Sequence, residues 1–255
     1  MTIGVFTAQA AEPGCGIIPL WIAVKPPGEQ TLALSSHAYE LLQAFDQPGC
    51  PICRLTADSV HHFLEALMYE YVNEVPTHMA VRAARGFCPT HAWHIQEHIN
   101  ASALGIAILY EGLVRNMLND MGDVTPDSGR RQIAQAANAL KPRGPCPACE
   151  HRDTVEDHLL RNVLEYVEQD DFASGLRRSA GLCLPHLRLA LVRSGATTAK
   201  AHLIAIQQDI WSRLQRDLAE FVRKNDYTLI RAEMGEEGTS PRRAIEQMSG
   251  VKHLR

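Results

Sequence analysis

The chain has 255 residues, a length that allows one large domain or two of ordinary size. Hydrophobic residues make up 45% and charged residues 21%, which are ordinary values for a globular protein. The net charge of -4 and the few aromatic residues argue against nucleic-acid binding, which usually needs a basic face and stacking side chains. No apolar stretch is long enough to cross a membrane, so we expect no membrane partner.

The first 35 residues carry no strong structural signal, and we interpret them as an N-terminal extension. Met1–Ala11 has no basic residues ahead of an apolar run, so we expect no secretory signal and a cytoplasmic location. The apolar segment 17–24, interrupted by Pro19, gives only a weak indication of a strand. Cys15 belongs to no recognisable motif, and we interpret it as incidental.

Residues 36–122 form a unit with a helical pattern, which we call repeat 1. Ser35 and Ser36 could cap a short helix with apolar positions at Leu41, Leu42 and Phe45. A long amphipathic helix is predicted after Cys-Pro-Ile-Cys (50–53), because apolar side chains recur there at three- and four-residue spacing. Its stripe consists of Val60, Phe63, Leu64, Leu67, Met68 and Tyr71. A further helix is expected at Cys-Pro-Thr-His (88–91), and another from about 101 to 121.

A linker rich in Gly, Asp and Pro is predicted at residues 123–127, ahead of a second helical unit at 128–224. In this repeat 2, Ser128 is expected to cap a helix that carries Ile133, Ala137 and Leu140. A long amphipathic helix follows Cys-Pro-Ala-Cys (146–149), a shorter one begins at Cys-Leu-Pro-His (183–186), and a last one covers about 197–223. The long helix has its stripe at Val155, Leu159, Leu160, Val163, Leu164 and Val167. The polar tail, 225–255, either docks on the body or is disordered, with one short helix expected around 242–245.

The two units are related as an internal repeat. Cys146 follows Cys50 by 96 residues and Cys183 follows Cys88 by 95. His62 and His158 both stand nine residues after the second cysteine of their C-x-x-C motif. Self-similarity at a fixed period indicates a duplicated structural unit. We therefore predict an all-α protein of two tandem, similar helical units.

Each repeat supplies three cysteines and one histidine in a pattern typical of a metal site. The predicted ligands are Cys50, Cys53, Cys88 and His91 in repeat 1, and Cys146, Cys149, Cys183 and His186 in repeat 2. Proline next to a cysteine suits the start of a helix, whose dipole stabilises thiolate. Gly86 and Gly181 each precede the third cysteine by two residues and allow a sharp approach of the backbone.

Zinc is the preferred metal, with two ions per chain, because Cys₃His is a common structural zinc set. An iron–sulfur cluster is the main alternative, and copper or a redox-active dithiol is less favoured. Spacing leaves open whether each repeat closes its own site or whether the C-x-x-C of one pairs with the C-x-x-H of the other. The within-repeat arrangement is the simpler one, and we predict that each unit is cross-linked by its own Cys₃His site.

Further histidines are interpreted as non-ligands. His91, His94 and His98 share one helix face and could form another metal site, but repeat 2 has Leu189 and Arg193 at the last two places. Solvent-facing histidines are the simpler interpretation. His62 and His158 lie too far along their helices to join their own C-x-x-C, since nine residues of helix span about 13 Å.

Segments 50–55, 67–74, 82–93 and 235–244 together resemble an uncharacterised bacterial family, a domain of unknown function with duplicated CPxC and CxxH half-motifs. The resemblance covers most of the chain from about Ser36 onward. Repeat 2 is the more divergent half, with Leu184 where repeat 1 has Pro89. The resemblance implies no activity, ligand or partner.

Three functional hypotheses are compatible with these patterns. No nucleotide-binding glycine pattern, nucleophile elbow or H-E-x-x-H motif is present, which leaves no specific enzyme proposal and favours a non-enzyme. We favour a binding or adaptor protein whose protein or small-molecule partner is unknown. The alternatives are an iron–sulfur electron-transfer or redox-sensing protein, and a metal-dependent enzyme with a site between the repeats that uses His62 and His158.

Overall fold

The computed structural model describes residues 34–225 and 233–251, and within these ranges every regular element is a helix. Repeat 1 contains α1 (Ser36–Phe45), α2 (Pro51–Tyr69), α3 (Val75–Ala84), α4 (Pro89–His98) and α5 (Ala103–Met121). Repeat 2 contains α6 (Arg130–Ala139), α7 (Pro147–Tyr166), α8 (Asp170–Arg178), α9 (Leu184–Val192) and α10 (Thr197–Lys224). A 3₁₀ turn, Glu236–Thr239, leads into α11 (Ser240–Ser249). The all-α class is confirmed, whereas the weak strand at 17–24 and Cys15 lie outside the described residues.

Four helices begin directly after a cysteine of the motifs. Cys50, Cys88, Cys146 and Cys183 are the capping residues of α2, α4, α7 and α9, each in an extended conformation and followed by proline within two residues. Proline fits the first turn because its fixed φ suits a helix and its missing N–H would have no intrahelical partner there. The sequence therefore places each motif at a helix start, with the positive end of the helix dipole directed at the sulfur atoms.

The long helices α2 and α7 pack against each other and run antiparallel. Ser59 Oγ lies 2.9 Å from His151 Nε2, and the Phe63 ring stacks on the His151 ring at 4.5 Å between centroids. The start of α2, at Cys53, instead shares a buried cluster with Leu159 and Leu160 of the later part of α7. The start of each long helix thus lies against the far half of the other.

The first helix of each repeat packs on elements of the other repeat. Phe45 of α1 contacts Phe172 of α8 edge to face, with ring centroids 5.0 Å apart. At the other end, Arg85 beyond α3 donates to the carbonyl of Ala139 in α6, and Arg143 N donates to Ala83 O at 2.7 Å. The buried clusters therefore mix the repeats, because each combines the leading part of one repeat with the later part of the other.

The two leading helices differ in how they are capped and buried. Ser35 caps α1 as predicted, and its side chain accepts from Ala38 N at 3.1 Å. Ser128 does not cap α6, because its hydroxyl accepts from Thr125 N at 2.9 Å within a turn, and Gly129 holds the capping position. None of the ten residues of α6, all of them described, is buried, whereas α1 buries four.

The C-terminal tail docks on the body through α11. Of the two expectations for the tail, docking is therefore the one observed for the described residues 233–251. The Gln247 side chain accepts from Trp211 Nε1 at 3.0 Å and Gln207 Nε2 at 3.3 Å, and donates to Ala180 O at 2.7 Å. Gln207 in turn accepts from Leu182 N at 2.9 Å. This buried amide network ties the tail to the loop directly before Cys183.

Replacing Gln247 with Ala should destabilise the folded protein by about 2–3 kcal/mol, because it leaves buried donors and an acceptor without partners. Urea unfolding of the metal-loaded protein measures the change. Gln208→Ala, at an exposed position of α10, is the matched control and should change the free energy of unfolding by less than about 0.5 kcal/mol. Equal effects of the two substitutions would show that the amide network is not what holds the tail.

Candidate metal centres

The first centre joins the start of α2 to the start of α9. Its four side chains are Cys50, Cys53, Cys183 and His186, and their ligand atoms all lie within 4.8 Å of one another. None of the four is more than 2% exposed. His186 Nδ1 lies 3.5, 3.4 and 3.2 Å from the sulfur atoms of Cys50, Cys53 and Cys183, respectively, and the Cys53 and Cys183 sulfurs are 3.6 Å apart.

The second centre joins the start of α7 to the start of α4 and has the same composition. Cys146, Cys149, Cys88 and His91 bring their ligand atoms within 4.8 Å of one another. His91 Nδ1 lies 3.7, 3.4 and 3.2 Å from the sulfurs of Cys146, Cys149 and Cys88, and the Cys149 and Cys88 sulfurs are 3.6 Å apart. His91 is buried, but the three cysteines are partly exposed. All eight predicted residues are therefore brought together, in two groups of four.

The prediction that each repeat closes its own site is wrong. Each centre takes its C-x-x-C from one repeat and its C-x-x-H from the other. The reason is the length of the long helices, since the 19 residues of α2 span about 28 Å and carry the chain away from the C-x-x-C motif at the helix start. The 10 residues of α3 recover only about 15 Å before α4 begins. The antiparallel packing of α2 and α7 instead brings each C-x-x-C to the C-x-x-H of the other repeat.

Glycines allow both C-x-x-H segments to approach. Gly86 and Gly181, which precede Cys88 and Cys183 by two residues, have φ values of +103° and +74°. A side chain at position 181 would also collide with Ile210, because a Cβ atom there would lie 2.7 Å from the Ile210 Cδ1 atom. The sharp backbone approach predicted at these glycines is thus present in the structure.

The separations of the ligand atoms fit a single tetrahedral ion. With sulfur at about 2.3 Å and nitrogen at about 2.05 Å from the metal, tetrahedral geometry separates two sulfurs by about 3.8 Å, and a sulfur from the nitrogen by about 3.6 Å. The observed sulfur–sulfur distance of 3.6 Å in each centre is far longer than the ~2.05 Å of a disulfide bond. The donor set and its spacing could therefore hold one metal ion in each centre.

Comparison with protein families identifies the family of this chain. The model described as "Family of unknown function (DUF6062)" matches residues 38–254. The chain belongs to this family. No curated protein and no solved structure matches it. Among the described residues of this DUF6062 member, no helix combines the length and apolar character needed to cross a membrane.

The protonation of the ligands in this DUF6062 member couples metal binding to proton release. Burial, followed by hydrogen bonds with Cys183 and Cys53, raises the pKa of Cys50. Burial and a hydrogen bond with Cys88 raise the pKa of Cys149 to about 12. Burial and the charge of Arg152 lower the pKa of His91 to about 4. Near neutral pH the metal-free thiols of Cys50 and Cys149 therefore hold their protons while His91 is neutral, and a binding ion must displace the protons of these two thiols.

A buried carboxylate supports the histidine of the first centre. Glu156, which is 4% exposed, places Oε1 at 3.1 Å from His186 Nε2. Burial lowers the pKa of His186, but hydrogen bonds with Cys53 and Glu156 outweigh it, so that the net shift is upward. A carboxylate on the outer nitrogen fixes the orientation of a metal-binding histidine and raises its basicity. Glu156 was not predicted from the sequence. The signal that could have revealed it is the difference between the repeats, because the position with the same offset in repeat 1 is the apolar Val60.

The first centre is also covered by the end of the tail. A Cβ atom at Gly250 would lie 3.4 Å from the sulfur of Cys53 and 3.5 Å from that of Cys183. The backbone that follows α11 therefore packs directly on two ligands. With Glu156 beside His186 and Gly250 beside two of the sulfurs, the first centre is more enclosed than the second, whose cysteines are partly exposed.

The remaining histidines of the enzyme hypothesis do not converge. His62 Nδ1 lies 3.1 Å from Glu65 on the exposed face of α2, and the His158 ring lies 6.0 Å from that of His37. Neither histidine belongs to either of the two centres. Among the described residues, these centres are the groups in which three or more potential ligand atoms lie within 4.8 Å of one another. The geometry of the described residues gives no support to a catalytic site built on His62 and His158.

Replacing Glu156 with Gln should weaken metal binding at the first centre about 10- to 100-fold, because the amide is a poorer acceptor for the His186 N–H. Competition with a coloured chelator measures the release of the two ions. The wild type should lose the ion of the second centre at a lower chelator concentration than the ion of the first. In E156Q the difference between these two chelator concentrations should be smaller. Glu150→Gln, at an exposed position of the same helix, is the control. An unchanged release profile for E156Q would show that the carboxylate does not support the centre.

Proposed function

We propose that this protein is a non-catalytic binding protein whose helical scaffold is held together by two structural zinc ions. The observation that carries the proposal is the closed ligand set, since each centre supplies three sulfurs and one nitrogen around one point. Four protein ligands complete a tetrahedral shell and leave no position for a water molecule or a substrate. Catalytic zinc sites, in contrast, keep one position open.

Zinc is supported over an iron–sulfur cluster by the spacing of the ligand atoms. The ligands of a cluster bind different iron atoms, so they surround a larger object than one ion. Here the ligand atoms of each centre lie within 4.8 Å of one another, which suits one ion. The thiolate-rich set with one imidazole is also the preferred chemistry of structural zinc.

The structural role follows from where the centres lie. Each one connects the starts of two helices from different repeats, α2 with α9 and α4 with α7. An ion in the first centre cross-links segments that are at least 130 residues apart in sequence, and an ion in the second centre cross-links segments at least 55 residues apart. Because thiolate ligands persist best where thiols are kept reduced, we place the protein in the cytoplasm.

An apolar cavity between α2 and α3 supports the binding role. Its volume is about 310 Å³, and it is lined by Phe63, Ala66, Leu67, Tyr71, Pro76, Thr77, Ala80 and Pro147. Tyr71 and the neighbouring Val75 and Met79 are exposed. Concave apolar surfaces of this kind are typical sites for small molecules or for apolar side chains of a partner protein. The zinc ions would then serve to hold this surface in shape.

Elemental analysis of protein purified without oxygen should give two zinc ions per chain and no visible colour. Iron together with sulfide and a broad visible absorption band would contradict the proposal and make the protein a redox protein. One zinc per chain would contradict the assignment of two equivalent donor sets.

Replacing Cys146 with Ser should remove one zinc ion and lower the melting temperature by roughly 10 °C or more, since about 1 kcal/mol shifts Tm by about 2–4 °C in a domain of this size. Differential scanning calorimetry with metal analysis of the same sample tests this. Cys15→Ser, at a cysteine that belongs to neither a C-x-x-C nor a C-x-x-H motif, is the matched control and should leave the zinc content and Tm unchanged. A C146S variant that lost zinc but kept the wild-type Tm would show that the ion is not structural.

A further inference from the structure

A pair of histidines from two helices meets on the surface beside the second centre. His61 of α2 places Nδ1 at 3.1 Å from Nε2 of His94 in α4. Both side chains are only partly buried, and neither belongs to a Cys₃His centre. Two nitrogens that share one zinc ion at about 2.05 Å lie about 3.0–3.4 Å apart, depending on the angle between the bonds. The observed separation falls in that range.

A carboxylate orients the first histidine of the pair. Glu65, one turn further along α2, places Oε1 at 3.4 Å from His61 Nε2. If that nitrogen carries the proton, the lone pair of Nδ1 faces His94. Metal-binding histidines commonly have a carboxylate beside their outer nitrogen, and this arrangement leaves the inner nitrogen directed at the cation.

A third imidazole stands one helical turn from His94. The ring of His98 has its centroid 5.1 Å from that of His94, and its side chain is 55% exposed, so rotation about its side-chain bonds can bring it to the same ion. His94 and His98 enclose Glu97 in the order H-x-x-E-H, which is one of the orders in which zinc hydrolases carry two of their ligands. This order of residues is a signal in the sequence that the H-E-x-x-H pattern does not capture.

The corresponding positions in repeat 2 show that these places on the two helices reach each other. Asp157 and Arg193 stand at the same offsets from the cysteines as His61 and His98, and they form an ion pair. Arg161, at the offset of Glu65, also pairs with Asp157. Repeat 2 thus fills this surface with charged pairs, whereas repeat 1 fills it with imidazoles and a carboxylate.

The surface around the histidines is open to solvent. A cavity of about 450 Å³ is lined by Pro89, Thr90, Trp93, His94, Glu97 and His98. A cation held by two or three imidazoles there would keep positions for water, unlike the ions of the two closed centres. Imidazole nitrogens with a nearby carboxylate suit zinc among the common divalent ions.

We propose that His61 Nδ1, His94 Nε2 and His98 form a third, solvent-open metal site that binds Zn²⁺. Glu65 positions His61, and the site is separate from the two closed centres and does not depend on their role. Because the coordination is incomplete, the ion binds more weakly than the closed centres do and exchanges with zinc in solution.

Calorimetric titration of Zn²⁺ into full-length protein that already holds its tightly bound zinc tests the site. The wild type should bind one further zinc ion per chain. His61→Gln and His94→Gln should each weaken this binding at least 10-fold, and Glu65→Gln, which removes only the orienting charge, should weaken it less, about 10-fold at most. His202→Gln is the matched control, since His202 also lies beside a carboxylate, at 3.7 Å from Glu168, but in α10.

The content of tightly bound zinc and the circular dichroism spectrum must stay at wild-type values in every variant, which separates loss of the surface site from loss of the fold. A further zinc ion that binds equally well to H61Q and H94Q would overturn the proposal. So would the absence of any further binding, in which case the 3.1 Å contact is only a hydrogen bond between two imidazoles. Failure of this titration would leave the two closed centres, and the elemental analysis that tests them, unaffected.

Discussion

The exchange of metal ligands between the two repeats is the constraint on which the rest of the structure depends. Each Cys₃His set is complete only when the start of a long helix from one repeat lies against the start of a short helix from the other. That requirement fixes α2 and α7 as an antiparallel pair and places α1 on α8. Neither repeat can therefore be understood as a folded unit with its own metal, because half of every ligand set lies in the other repeat.

The two centres share a ligand set but differ in their surroundings. The first is enclosed by Glu156, by the tail at Gly250 and by the amide network around Gln247. The second lies nearer the surface, where its cysteines are partly exposed and the histidines of α2 and α4 collect. One chain therefore combines a protected candidate metal site with a more accessible one.

The eight side chains that the structure brings together could be predicted from the sequence, because the spacing of C-P-x-C and C-x-x-H restricts which residues could share an ion. The long helices were predictable as well, because their apolar stripes keep one period over five or six positions. The pairing was not predictable from spacing alone, since the same four motifs serve both arrangements and recur at nearly equal intervals in the two repeats. The difference in length between α2 and α3 decides the pairing, because α3 is too short to bring the chain back to the start of α2. The sequence of α3 has too weak an apolar pattern to predict this helix, since only Val81 is buried in it. The prediction that Ser128 caps α6 was wrong because a serine near a helix start can equally stabilise a turn. Here the Ser128 hydroxyl accepts from Thr125 N.

The exchange of ligands is tested most directly by loading the protein with ¹¹³Cd and recording one resonance from each centre. The structure predicts that Cys50→Ser and Cys183→Ser, which lie in different repeats, shift or remove the same resonance. Cys88→Ser and Cys146→Ser should act together on the other resonance. If Cys50→Ser and Cys88→Ser acted on one resonance, and Cys146→Ser and Cys183→Ser on the other, each repeat would close its own site and the exchange of ligands between the repeats would be disproved.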